Sequence, residues 1–169
     1  MLNVTAAIAS LSNLGLNPRE LMASAQNFIG VKRRLEYLGK FSNIHLFDDF
    51  AHHPTAIKAS MAAMKSKFHS SRLYAVVELA SNTMRKGSLK SDLKESFHDA
   101  DFVWILDFGD AEWDIQKEFL GIKNVGIAKN MEDLSDQLWS KLKVDDSLVI
   151  MTNKDSVGIR NILIKGPPI

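Results

Sequence analysis

The sequence predicts an α/β protein: a mostly parallel, wound sheet with helices on both faces, preceded by two helices. Three observations predict it. From about residue 34 onward, short apolar runs alternate with stretches of helical periodicity. The first thirty residues show helical spacing and no strand. The length of 169 residues suits one ordinary α/β domain with a small appendage.

The elements follow in order. Val4, Ala7, Ile8, Leu11 and Leu14 fall on one face of a first helix. The opening "MLNVTAAIASLSNLGL" is not read as a signal peptide. It has no basic start, and Asn3, Ser10, Ser12 and Asn13 interrupt its apolar run. Asn17, Pro18 and Glu20 form a start signal for a second helix, a cap followed by a first-turn proline and an acid. Its apolar face is Leu21, Met22, Ala25, Phe28 and Ile29, and Gly30 ends it.

Strands are predicted over 34–41 and 44–47, and Pro54 opens a helix that buries Ile57, Met61, Met64 and Phe68. A strand over 73–77 precedes a helix over 88–98 carrying Leu89, Leu93 and Phe97. Then come a strand over 102–106, a helix over 111–120 and a short strand over 125–128. Asn130 caps a helix carrying Met131, Leu134, Leu138 and Leu142. A strand over 148–151 and a helix over 156–164 complete the order, and "GPP" at 166–168 is a breaker. Strands alternating with helices imply a parallel sheet, whose ligands bind outside the carboxyl ends of the strands. The loops after residues 47, 77, 106 and 151 therefore form the functional edge.

Composition narrows the classes. The 46% apolar fraction supports a core, and the net charge of +1 comes without a basic stripe or aromatic-basic interleaving, so no nucleic-acid surface is expected. No apolar run is long enough to cross a membrane. The absence of cysteine excludes disulfides, thiolate metal sites and cysteine nucleophiles, and fits a reducing compartment.

Five stretches invite a chemical reading. In "HLFDDFAHHPTAI" (45–57), Asp48 or Asp49 could accept a ribose hydroxyl, or could cap the next helix or meet water. His52 and His53 could be metal ligands, but about three converging ligands are needed and His45, His69 and His98 show no matching spacing. The plainer reading makes His53 the cap and Pro54 the first helical residue, leaving amide N–H groups aimed at a phosphate. In "GVKRRLE" (30–36), Arg34 could clasp a phosphate bidentately, or Lys32, Arg33 and Arg34 could be a solvated linker.

"ELASNTMRKGS" (78–88) offers Ser81, Asn82, Thr83, Arg85 and Lys86 to an anionic, peptide-like ligand; turn chemistry with Ser88 as a cap is the alternative. "DFGD" (107–110) is read as a strand end plus helix cap, since no other kinase motif accompanies it. In "TNKDSVGIRN" (152–161), Asn153 and Ser156 could touch a ligand, with capping the plainer reading of Ser156. No GxxxxGK[ST] or GxGxxG occurs, so a bound nucleotide's phosphate cradle would have to come from elsewhere.

These residues resemble the Mur ligase family, the ATP-dependent amide-forming enzymes of peptidoglycan synthesis, over essentially the whole chain. "DDFAHHPTAI" is similar to the "DDYGHHP" signature of UDP-N-acetylmuramate ligases. "FIGVKRRLE" looks like the linker between the family's central and C-terminal domains, and "NVTAAIAS" like the end of a central-domain "HNxxNxxAA" segment. "SNTMRKG" resembles the "EPRSNTMK.G" loop of the branch that adds a murein tripeptide. The L-alanine-adding branch usually has "QPHRYTR" there.

The resemblance implies a Rossmann-like C-terminal domain over 31–169, with 1–30 as the last helices of the central ATPase domain. It implies ATP and magnesium as cofactors, the metal held mainly by a central domain outside these residues. Asn3 would belong to the adenine pocket, Arg34 would contact ATP phosphate, and Asp49 would bind the ribose or fix the domain on the nucleotide. His52 and His53 would face the closed active site, making Arg34 and His53 the candidate catalytic residues. Ser81, Asn82, Thr83, Arg85 and Asn153 would recognise the peptide. The family's reaction phosphorylates the UDP-N-acetylmuramate carboxylate, and an amine then attacks the acyl phosphate. In the tripeptide branch that amine belongs to L-Ala-γ-D-Glu-meso-diaminopimelate, in peptidoglycan recycling in the cytoplasm.

An L-alanine ligase domain and a stand-alone α/β binding module are the alternatives. The sequence also departs from the pattern. Leu79 and Ala80 stand where the family has proline and arginine, and "TNKDSVGI" replaces a glycine-rich "SNGGFGGI". The chain alone is expected not to turn over, and the apolar faces of 1–30 are expected to fold back on the sheet domain or to pair with a second copy as a homodimer.

Overall fold

The computed structural model describes residues 2–68 and 71–167, so His69 and Pro168 lie outside the described residues. The chain forms two units, Met1–Val31 and Lys32–Ile169. In the first, α1 (Leu2–Asn13) and α2 (Pro18–Gln26) pack on each other. Asn17 caps α2 by accepting the Arg19 N–H at 3.0 Å, with Pro18 in the first turn. α2 ends earlier than its apolar spacing predicts. The N–H groups of Asn27 and Phe28 bond to Ser24 and Ala25, tightening the last turn, and Ile29 and Gly30 lie beyond the helix.

The second unit is built on a six-stranded sheet in the order β1-β2-β6-β3-β4-β5. Its strands are β1 (Glu36–Phe41), β2 (Ile44–Asp49), β3 (Leu73–Glu78), β4 (Phe102–Leu106), β5 (Val125–Ala128) and β6 (Ser147–Met151). Only β1 is antiparallel to its neighbour. Its hairpin turn is Ser42–Asn43, with φ of 47° and 65°, the left-handed pair that matches the twist of the flanking strands. β1 begins at Glu36 rather than Arg34 because Arg33 and Leu35 take φ of 57° and 47°, which no extended strand can hold.

Alternation along each strand feeds two cores. Ala75, Val77, Val103 and Ile105 pack under α3 (Pro54–Lys67), α4 (Asn82–Arg85), α5 (Lys90–Glu95) and α6 (Ile115–Glu118). Tyr74, Val76, Trp104 and Ile150 pack under α7 (Met131–Lys141) and α8 (Val157–Lys165). The expected wound sheet with helices on both faces is what forms.

Three helices differ from the periodicity. α4 is an unpredicted single turn, capped by Ser81. Ser88 does not cap α5: the cap is Leu89, with no side-chain bond, and the helix closes where Ser96 Oγ donates to the Leu93 carbonyl. α6 starts only at Ile115, because Asp114 caps it through the Lys117 N–H at 2.9 Å. Residues 111–113 belong instead to a loop clamped onto the segment after β3. There the Trp113 indole donates to the Met84 carbonyl at 3.0 Å, and a Cβ on Gly87 would lie 2.7 Å from the Trp113 ring.

α8 is fastened to the sheet by charge as well as by Ile159 and Leu163. Arg160 Nη2 donates to the wholly buried Asp48 at 2.5 Å, and Ser156 Oγ does so at 2.9 Å. Ser156 is therefore not the side-chain cap that its place before the helix suggests. Among the described residues no helix is long and apolar enough to cross a membrane.

Two substitutions check this account by urea unfolding of the whole chain. Leu138→Ala, in the α7 core, is expected to lower stability by about 2–5 kcal/mol. Asp48→Ala leaves Arg160 and Arg33 beside an emptied buried position and is expected to cost about 3 kcal/mol.

Candidate functional site

Strands β2, β6 and β3 lie side by side and parallel, with Asp49, Met151 and Val77 level in register. The chain leaves β2 and β3 towards the α3–α6 face, but leaves β6 towards the α8 face. The carboxyl end of β6 is thus a topological switch point, where an open α/β sheet leaves a crevice. The residues just past the three strands meet there.

The adjacent acids Asp48 and Asp49 are not a pair. Successive strand side chains face opposite ways, and each acid serves a different face. Asp48 points to α8 and is joined by Arg33, whose Nε lies 3.5 Å away. Asp49 accepts from the N–H groups of Leu35 at 3.2 Å and Ala51 at 2.8 Å, and from Ser60 Oγ on α3 at 2.9 Å. Asp49 is buried, and these bonds hold the left-handed turn at residues 33–35 against the strand end.

Arg33 is not part of a solvated linker. Its Nη2 donates to the Thr152 carbonyl at 2.6 Å, and the Phe50 N–H donates to the Arg33 carbonyl at 2.8 Å. Thr152 Oγ1 donates in turn to the buried Glu78 at the end of β3, at 2.6 Å, and Lys154 Nζ lies 3.0 Å from the other Glu78 oxygen. One chain of polar contacts thus crosses from β2 through β6 to β3. Arg33, Glu78, Thr152, Lys154 and Arg160 were not singled out as ligand groups from the sequence alone. An acid closing the apolar run 73–78 was the available signal for Glu78.

Arg34 stands differently. Its guanidinium lies over the Phe50 ring, 5.4 Å from the centroid, and has no carboxylate partner among the described residues. The two histidines beside it take opposite tautomers in their neutral forms. His53 Nδ1 accepts the Thr55 N–H at 3.3 Å, which puts the ring proton on Nε2. His52 Nδ1 lies 2.9 Å from the Phe50 carbonyl and must donate to it, which leaves Nε2 an acceptor. The start of α3 is largely self-capped: Pro54 has no N–H, Thr55 bonds to His53, and the Ile57 N–H bonds to the His53 carbonyl. The expected phosphate nest of free amides is correspondingly reduced.

After β3, Ser81 Oγ accepts the Met84 N–H at 3.4 Å and Asn82 Oδ1 accepts from Arg85 at 2.6 Å. Arg85 also lies 3.4 Å from Asp110. Asp110 is therefore an ion-pair partner and not the helix cap read from "DFGD"; Asp107 turns that loop by accepting the Gly109 N–H at 3.0 Å. Thr83 is exposed, and Asn153 keeps a buried Oδ1 without a hydrogen-bond partner. The structure thus brings Arg34, Asp49, His52, His53, Asn153 and the 81–85 segment to one edge. Asn3 lies in α1, in the other unit.

This edge is an open rim. A concavity of about 430 Å³ flanks it beyond β4, lined by Phe108, Trp113, Gln116 and Lys129 among others. Another, of about 530 Å³, lies at the opposite, amino end of the strands, between His45, Arg72 and Lys143. The Arg72 guanidinium there is pushed above its ordinary value by its hydrogen bonds to Asp146. That second concavity is remote from the switch point. Among the described residues no group of three or more acid or histidine side chains gathers to hold a metal ion.

Comparison with known proteins gives this edge a context. Residues 33–153 match the family described as Mur ligase, glutamate ligase domain. A UDP-N-acetylmuramate–L-alanyl-γ-D-glutamyl-meso-2,6-diaminoheptandioate ligase of Escherichia coli K12 is 33% identical over 98% of this chain and 37% of its own length. A UDP-N-acetylmuramate–L-alanine ligase of Caldicellulosiruptor bescii is 31% identical over 96% of this chain and 38% of its own length. The crystal structure of a murein peptide ligase from Psychrobacter arcticus superposes on 99% of this chain and 37% of that one, at 29% identity and a TM-score of 0.73. The chain thus spans little more than a third of the length of each of these relatives. A wound sheet with this switch point, a family match over most of its length and relatives aligned nearly end to end lead to one conclusion: the chain belongs to the Mur ligase family, of which it carries the C-terminal domain.

Proposed function

We propose that this chain is the part of an ATP-dependent amide ligase that closes over the nucleotide and presents the incoming amine. In this reading the intact cytoplasmic enzyme joins UDP-N-acetylmuramate to L-Ala-γ-D-Glu-meso-diaminopimelate through an acyl phosphate. The carrying observation is the convergence of the loops after β2, β6 and β3, tied by Arg33–Thr152 and Thr152–Glu78, with Arg34 left without an acid. The tripeptide rather than L-alanine is favoured by "SNTMRKG" and by relatives of that name at 31–33% identity over nearly the whole chain.

The residues present fit the anionic part of ATP on one observation: an unpaired guanidinium held over an aromatic ring at the switch point. Bound there, ATP supplies the phosphoryl group that activates the carboxylate. Arg34 would hold a phosphate oxygen, and His53 would offer its Nε2 proton towards the closed site. His52 Nε2 can accept a hydrogen bond from the nucleotide. Asp49 acts by positioning, since its internal bonds hold the turn that carries Arg34. Asn3, in the first unit, is assigned by the family resemblance to the adenine pocket of the intact enzyme, and Ser81, Asn82, Thr83, Arg85 and Asn153 are assigned to orienting the peptide. The described residues, which gather no cluster of three acids or histidines, do not fit magnesium by themselves.

An L-alanine ligase is the second reading. The Caldicellulosiruptor bescii relative carries that name at 31% identity, and Ala80 stands where the tripeptide branch has arginine.

Steady-state kinetics of the intact enzyme decides between them. The tripeptide is expected to exceed L-alanine in kcat/KM by on the order of a hundredfold; the reverse order would establish the second reading. Arg34→Ala is expected to raise the KM for ATP roughly tenfold or more, with Arg34→Lys in between. The isolated chain, which has no phosphate-loop motif, is expected to release no phosphate from ATP with both substrates present. Its helices 1–30 are expected to pair with a second copy, so sedimentation of a concentration-independent monomer would contradict that contact.

A further inference from the structure

We propose that Lys154 is the specificity-determining cation of the peptide site, receiving a carboxylate of the incoming nucleophile. The inference rests on the tripeptide reading above and deepens it. An acidic peptide arriving at this rim needs a cation that is fixed in place yet open to solvent. The rim's cations divide clearly on that test. Arg33 is engaged by the Thr152 carbonyl and Asp48, and Arg160 by Asp48 and Ser156. Arg85 is held by Asn82 and Asp110, which are themselves exposed, so no buried acid fixes it. Arg34 lies over Phe50, on the β2 side of the switch point.

Among these cations of the described rim, Lys154 is both held by a buried acid and open to solvent. Its side chain is 49% exposed, and its ammonium is held 3.0 Å from Glu78, whose side chain is only 9% exposed. The loop beneath is fixed too: the Lys154 N–H donates to Thr152 Oγ1 at 3.0 Å, and that hydroxyl donates to the second Glu78 oxygen at 2.6 Å. An ammonium has three N–H donors, and Glu78 occupies one direction, so donors remain for a second carboxylate. The buried acid keeps the charge in place, and the exposed side of the ammonium makes the charge-assisted bond.

Two departures in the sequence now fit together. Position 80, two residues past Glu78, holds a buried alanine where an arginine is expected. Position 154, across the β3–β6 junction, holds a lysine where a glycine is expected. Position 80 thus carries no cation, and the ammonium beside Glu78 comes from the loop after β6.

The test uses the intact ligase with two nucleophiles, the free-acid tripeptide and the same peptide with its carboxylates amidated. Lys154→Gln and Lys154→Gly are each expected to raise the KM for the free acid roughly tenfold or more, with kcat and the KM for ATP unchanged. Neither is expected to alter the KM for the amidated peptide. An unchanged free-acid KM in both lysine variants, or an equal rise for the two peptides, overturns the proposal. Failure of the wild-type enzyme to use the tripeptide at all overturns the reading beneath it, and is separately visible.

Discussion

The structure depends on two carboxylates at the end of one strand that face opposite ways. Asp48 is wholly buried against α8, and Asp49 is buried against α3 and the turn before β1. Each would be costly to bury as an unpaired charge. Each is instead matched: Asp48 by the guanidinium groups of Arg160 and Arg33, Asp49 by two backbone N–H groups and a serine hydroxyl. Because the partners come from segments distant in sequence, satisfying the two acids forces those segments to meet at the carboxyl end of β2. The rim is a consequence of that requirement.

The same economy explains how a largely structural network leaves groups free for ligands. Arg33 is internal while its neighbour Arg34 is not, because left-handed φ values at residues 33 and 35 turn the chain sharply between them. Glu78 is internal through the Thr152 hydroxyl, yet it holds Lys154 at the surface. In both cases a buried acid, Asp49 through the turn at 33–35 and Glu78 directly, fixes the place of an exposed cation. Fixed cations lose little freedom when they bind an anion, which is the condition for selective recognition.

Much of the fold was legible in the sequence. Each predicted strand exists, and Asn17, His53 and Asn130 cap the helices that their spacing marked. The failures have local physical causes. Phe28 and Ile29 match a helical face but lie beyond a helix whose last turn tightens. Ser156 and Ser88 look like caps, but Ser156 is drawn to Asp48, and α5 begins at Leu89 without a side-chain cap. Residues 111–113 have apolar character because Trp113 must cover Gly87 and reach the Met84 carbonyl, which periodicity cannot distinguish from a helix face.

The sequence by itself determined the alternation of strands and helices, the carboxyl-edge position of the polar loops and the likeness to the Mur ligases. Those follow from local spacing and short motifs, which involve residues close together in the chain. Only the tertiary structure decided the roles within the rim. It separated Asp48 from Asp49 and Arg33 from Arg34, withdrew Arg85 into an ion pair, and placed Lys154 on Glu78. These assignments turn on which donor lies nearest an acid, and the donors come from helices and loops that only sheet formation brings together.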